Sequence, residues 1–292
     1  MVQKMCAITL LMMFVLTGTV LGQNPYGQLD PKPYDPAVDA DIDQYLVNWR
    51  KSPPKHTHGS LIEQEILTRG NPLDPPRRGA VLTFMNRYSH AILDAHYSTT
   101  PTTLKGEQEV YYFYEGAGTI TAGGKTAQLS KGIGVLVPPN LEFTITNIGD
   151  IPLKMYLVSE PVPEDFRVNT ELIVRDENTI PYDTSNVHWS MIFKRLFGTN
   201  DGLYHIQSVL TVNFAPLTMG QPHRHGEGCE VTWLSLEGDV FLLLGKQLRR
   251  QEIGTCYMIP PNGNTPHAQI NTSDKPIKML HFARYVDHEV RK

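Results

Sequence analysis

The chain has 292 residues, 40% hydrophobic and 19% charged, so it can bury a substantial core in one large or two ordinary domains. Its formal net charge is -4 and its basic residues fall in short pairs, which argues against nucleic acid as the main partner. Twenty-three glycines and 22 prolines favour a turn-rich β protein over a helical bundle.

Residues 1–22 read as a secretory signal. Lys4 supplies the positive start, Cys6 to Leu16 the apolar stretch, and Val20-Leu21-Gly22 a small-residue cleavage site before Gln23. The apolar run is too short for a confident membrane span, and no cysteine stands at the cleavage point to carry a lipid. The expected location is therefore periplasmic or secreted, with no membrane anchor after cleavage. Residues 23–79 are expected to form an N-terminal arm with short helices. Gln23 to Pro36 is rich in Pro, Asp, Gly and Asn and reads as extended. Ile42, Tyr45, Leu46 and Trp49 recur at helical spacing, which predicts a short helix over Asp39 to Trp49, stopped by Pro53-Pro54. Next come His56 and His58, then Glu63 and Glu65. His58 to Glu63 repeats the spacing of a later His–Glu pair, but Ser60 to Leu67 reads as a short helix behind a polar loop.

From residue 80 to 160 the pattern is short strands cut by Gly and Pro turns, which points to a barrel or sandwich. The strands are expected near 80–84, 91–97, 109–116, 118–121, 132–140, 143–147 and 153–158. Residues 161–186 read as a linker, and 187–292 as a second β domain opening with Val187 to Phe193 and Tyr204 to Phe214.

The chemistry concentrates in that second domain. His223 and His225 are two apart, so their side chains aim together on an extended segment. Glu230 follows, with the strand parity of Thr232, Leu234 and Leu236, which would carry it into a barrel interior alongside them. About thirty residues on, Pro260-Pro261-Asn262-Gly263 leads to His267 and then Asn271. Three imidazoles and a carboxylate make a four-ligand metal set with open positions for substrate. Zn, Fe, Ni and Mn fit such a set.

These two blocks resemble the signature motifs of the cupins: His-x-His-x(3,4)-Glu ending at a glycine turn, then Gly-x5-Pro-x-Gly with a later His-x3-Asn. Here the second runs from Gly254 to Gly263. The match is offset in places: Glu230 lies eight residues before Gly238 rather than seven, and the Gly254–Pro261 and Gly263–His267 gaps are each one residue longer than the motif has. A β-bulge can absorb each extra residue. Residues 80–160 resemble a degenerate copy, with Glu109 to Gly116 parallel to Glu230 to Gly238 and Gly132 to Asn147 parallel to Gly254 to Asn271. In it Thr102 and Leu104 replace the first two histidines, Phe143 replaces the third, and Glu109 remains. His90 and His96 share strand parity within this copy.

The resemblance implies an all-β bicupin, two tandem jelly-roll barrels of which only the second binds metal. It also implies a small-molecule ligand or substrate, and enzymes of dioxygenase, decarboxylase or aminohydrolase type. A non-catalytic small-ligand- or sugar-binding cupin and a purely structural oligomer are the other readings, and a homodimer is expected only by analogy. Leu234, Leu236 and Tyr257 or Met258 are expected to line the pocket, with Arg224, Glu227 or Gln269 around it and Arg224 pointing outward on parity. His281 is expected in the core or at the rim. Cys229 and Cys256 could form a disulfide, remain buried thiols or offer a sulfur ligand. Asn271-Thr272-Ser273 fits a glycosylation sequon. No nucleophile triad, phosphate loop or organic cofactor motif is present, and no catalytic residue can be named.

Overall fold

The computed structural model describes residues 32–166, 169–184 and 188–285; the expected signal and the first part of the arm lie outside them. Among the described residues the regular structure is all strand apart from four short 3-10 turns. One large sheet has the order Ile173–Asp176, Ile133–Val137, Glu107–Glu115, Leu153–Pro161, Arg87–Leu93, Leu61–Arg69, with Lys55–Thr57 and Ala80–Leu82 beyond. The other has the order Leu46–Asn48, Thr255–Met258, Glu230–Glu237, Ile277–Arg284, Ser208–Phe214, Met191–Gly198. Each is accompanied by a four-stranded sheet of matching order, built on Glu142–Asn147 in the first half and His267–Asn271 in the second. The chain therefore holds two β-barrels of one design.

The repeat extends to single residues. Asn147 Nδ2 donates to the carbonyls of Leu93 and Ile151, and Asn271 Nδ2 donates to those of Ala215 and Lys275. Both side-chain oxygens accept the N–H two residues on. Each copy carries the same bulge, at Tyr114 in Glu107–Glu115 and at Leu236 in Glu230–Glu237.

Two expected helices are strands. Asp39 to Trp49 forms a 3-10 turn at Ile42–Tyr45, the strand Leu46–Asn48, and a second 3-10 turn at Trp49–Lys51. The helical spacing arises because opposite sides of this segment pack on different neighbours: Ile42 and Leu46 enter the second barrel, Tyr45 and Val47 the space between barrels. Pairing of Leu46, Val47 and Asn48 with Tyr257, Cys256 and Thr255 overrides local preference. Ser60 to Leu67 falls largely in the nine-residue strand Leu61–Arg69. Its alternation was hidden because the buried face carries Glu63, whose carboxylate meets Arg87. Arm and linker thus belong to the barrels: Leu46–Asn48 edges the second barrel's large sheet, and Ile173–Asp176 edges the first.

Three apolar cores result. One fills the first barrel around Tyr111, Phe113 and Phe143. Another fills the second around Phe214, Trp233 and Tyr257. The third lies between the large sheets, joining Val110, Tyr112, Tyr156 and Val158 to Leu234, Cys256, Leu280 and Phe282. A reciprocal polar clamp borders it. Glu160 accepts the backbone N–H groups of Tyr204, His205 and Ile206, while Glu230 accepts those of Thr83, Phe84 and Met85. Each carboxylate is fully buried and binds three amides of the opposite half, a strong anion nest.

Candidate metal centre

His223 and His267 are locked together by two backbone hydrogen bonds, His223 N–H to the His267 carbonyl at 3.2 Å and the reverse at 2.8 Å. His225 follows on the same extended segment, and the ligand atoms of all three lie within 4.8 Å of one another. His267 Nε2 stands 3.2 Å from His225 Nε2 and 3.3 Å from His223 Nε2. Two nitrogens bound to one ion at zinc-like distances sit about 3 Å apart, so this spacing fits a shared cation.

The surroundings fix the rings. His223 Nδ1 lies 2.9 Å from the Gln221 carbonyl, which requires a proton on Nδ1 and leaves Nε2 a bare lone pair. Tyr257 Oη lies 2.9 Å from His267 Nδ1 and accepts from Gln269 Nε2. A proton on His267 Nε2 could serve only one of its two neighbours; a cation would serve all three. Burial pushes the imidazoles toward their neutral, ligating form. His225 falls to about 3, through burial and then the neighbouring His223, His281 and His188. His223 and His267 are lowered with burial as the first cause.

Glu230 does not join them. Its carboxylate is the one bound by the amides of Thr83 to Met85, and burial, opposed by those amides, raises its pKa above the usual carboxylate value. The parity argument fails because Thr232 and Leu234 face the core between barrels, whereas Val231 and Trp233 face the second barrel's interior. With the bulge present in both copies, Glu230 matches Gln108, and Val231 stands where the first barrel has Glu109.

A fourth imidazole takes up the space instead. His188 Nε2 lies 3.3 Å from His223 Nε2, and burial followed by the His223 charge lowers it to about 4. It sits three residues before Met191–Gly198, as His58 sits three before Leu61–Arg69, and each is part of a left-handed turn, at His58 and at Trp189. No motif spacing flagged His188; only the repeat, once aligned in space, picks it out.

Residues 92–159 match the family model of the cupin domain. The chain has the bicupin fold. Solved structures with this fold include a Pseudomonas aeruginosa protein described as glyoxylate-induced, 16% identical, TM-score 0.67, covering 92% of this chain and 97% of that one. The oxalate decarboxylase of Lactobacillus farciminis is 11% identical with a TM-score of 0.63, over 86% of this chain and 89% of its own. An uncharacterized protein of Methanocaldococcus jannaschii is 33% identical over 73 residues, 25% of this chain; the chain spans about half the length of that curated relative. The family match falls on the first barrel of this bicupin, not on the barrel that holds the histidines.

That first barrel is sealed. Arg87 binds Glu63, Glu107 and Glu109, Tyr111 donates to Glu109, and His58 Nε2 lies 3.4 Å from Glu109. Phe143 packs on the His58 ring where a third histidine would stand. His90 and His96 do not meet: His90 stacks on Trp49 in the inter-barrel region and bonds Tyr114, while His96 is exposed beside Asp150. His56, also noted in the sequence, is exposed.

The second barrel of the bicupin is open. A cavity of about 610 Å³ runs from His188, His223 and His225 along Met191, Phe193, Val212 and Trp233 to Arg195. Leu234, Leu236 and Met258 are not on it, for the parity reason given above, and Tyr257 acts through His267. His281, on its wall, bonds the Thr232 carbonyl through Nδ1 and is lowered to about 3 by burial. Arg224 and Glu227 are exposed and off this cavity, whereas Gln269 is buried behind Tyr257. Cys229 and Cys256 are free and buried, one inside the second barrel and one between barrels, and neither joins the cluster. Asn271 is 1% exposed with its amide committed to the turn, so a glycan has no room there.

Proposed function

We propose that this protein is a metal-dependent bicupin enzyme acting on a small organic molecule in its second barrel. The ion is held by His223, His225 and His267, with His188 beside them as a fourth nitrogen donor. The observation that carries this reading is the convergence of three Nε2 atoms at the end of an apolar cavity, with the His223 tautomer set by a carbonyl. An all-imidazole set suits Zn, Fe or Ni better than Mn, which prefers added carboxylate oxygens. When bound, the ion would polarise an oxygen of the substrate or of water. The chain itself positions the ligands through the Gln221 carbonyl and Tyr257, and shields the site with Trp233, Phe193 and Met191. His281 and His188 are neutral bases within the same cavity, able to hold a proton near the reacting atoms. Export through residues 1–22 is part of the proposal, as is a small-molecule rather than nucleic-acid partner. The resemblance to oxalate decarboxylase rests on fold alone and does not select the reaction.

The alternative is a non-catalytic ligand-binding cupin, favoured by the absence of any carboxylate among the residues lining the cavity. Metal analysis of the purified protein beside His225→Ala tests the site. The expected result is about one equivalent in the wild type and a large loss in the variant. Equal contents would reject it. With metal present, dioxygen uptake or carbon dioxide release across a panel of carboxylates and catechols separates enzyme from binder.

A further inference from the structure

We propose that the cavity takes an apolar-bodied carboxylic acid whose carboxylate is held by Arg195 and whose other end points at the imidazole cluster. The placement of that other end rests on the metal reading above; the Arg195 subsite does not.

Five paired strands put one row of residues across the barrel's large sheet. Arg195 pairs with Leu210, Leu210 with His281, His281 with Trp233, and Trp233 with Tyr257, which contacts His267. Arg195, Leu210, His281 and Trp233 all line the cavity. Neighbouring strands lie about 4.8 Å apart, so the Arg195 backbone is roughly 14 Å from that of Trp233, and a long guanidinium shortens the gap to about the length of an arylalkanoate.

The two ends differ in chemistry. Around Arg195 the lining is polar, with Thr199, Gln207 and Ser208; between it and the histidines the lining is Phe193, Leu210, Val212 and Trp233. Among the described residues no carboxylate pairs with Arg195, in contrast to the first barrel, where Arg87 is bound by three. A guanidinium is the side chain best shaped to bind a carboxylate through two hydrogen bonds. The cavity volume, about 610 Å³, is that of a site for a drug-sized molecule, many times what a two-carbon diacid would fill. An acid with an apolar body matches both ends and the belt between them.

The test is calorimetric titration of the full chain with 3-phenylpropanoate and with its neutral amide, 3-phenylpropanamide, using metal-loaded and chelator-treated protein. The expected result is a carboxylate preference of about tenfold or more in both forms, lost in Arg195→Gln and partly kept in Arg195→Lys. Binding of the amide should be the same in wild type and Arg195→Gln, which shows that the variant is folded. Equal binding of acid and amide, or a preference that survives in Arg195→Gln, overturns the proposal. A preference that disappears with the metal also overturns it, because the carboxylate would then sit on the ion. A wild type that takes up no metal at all yet keeps the preference supports the Arg195 subsite while removing the metal reading, so the two fail separately.

Discussion

The histidines of the second barrel are held neutral by where they sit, and this gives the molecule a pH dependence of defined sign. His188 is lowered to about 4, His225 and His281 to about 3, and His267 well below its ordinary value, all chiefly by burial. In the unfolded chain each titrates near 6.5. Between those values the unfolded state binds more protons than the folded one, so stability falls as pH falls from about 6.5 toward 4 and is flat with respect to these groups above 7. The urea midpoint of metal-free protein should therefore decline from pH 7 to pH 5, and less steeply in His225→Ala. An unchanged midpoint over that interval would mean that these rings are not buried as described. At this scale the sequence motif identified His223, His225 and His267 correctly as neighbours, because short spacing and a two-residue period constrain them. It misassigned Glu230, since whether a side chain faces the barrel interior or the second sheet depends on which side of its strand the other barrel packs. Local sequence holds no such information. His188 and Arg195 stayed invisible for the same reason: they reach the cavity only through pairing with distant strands.

The strand Leu46–Asn48 shows how elements outside the barrels complete them. Val47 is 8% exposed and packs in the core between sheets, next to Ile66, while its backbone pairs with Cys256. Gly254, at φ +82, lets Trp49 approach so closely that a Cβ there would fall 2.4 Å from the indole nitrogen. The second barrel's edge is thus covered by a segment some 200 residues away in sequence. Placing a charge at Val47 would bury an unpaired carboxylate, so Val47→Asp should destabilise the protein by about 2–4 kcal/mol in urea unfolding. A change below about 0.5 kcal/mol would show that the arm is dispensable. The sequence revealed most of the barrel strands from residue 80 onward, whose Gly and Pro boundaries are local signals, but it placed Arg87–Leu93 four residues late and missed Lys125–Leu129. It did not reveal Leu46–Asn48 or Leu61–Arg69, whose strand state comes from partners and whose buried faces include Asn48 and Glu63.

Across the whole molecule, two barrels of one design have diverged in opposite directions. The first keeps Glu109 without the histidines and is plugged by Arg87, His58 and Phe143. The second keeps the histidines, carries Val231 in place of that glutamate and stays open. Glu230 and Glu160 serve the clamp that joins the halves, each held by three amides of the other. The repeat was readable from glycine and asparagine spacing, but its register was misjudged by one residue, and that residue decides the ligand set. The account therefore stands on the claim that the cation site is built from imidazoles and excludes Glu230. Metal content measured side by side in wild type, His267→Ala and Glu230→Gln tests this directly, since glutamine can still accept amide hydrogen bonds at position 230. The account predicts that His267→Ala loses most of its metal while Glu230→Gln keeps about one equivalent; metal retained by the first, or lost from a folded Glu230→Gln, would contradict it.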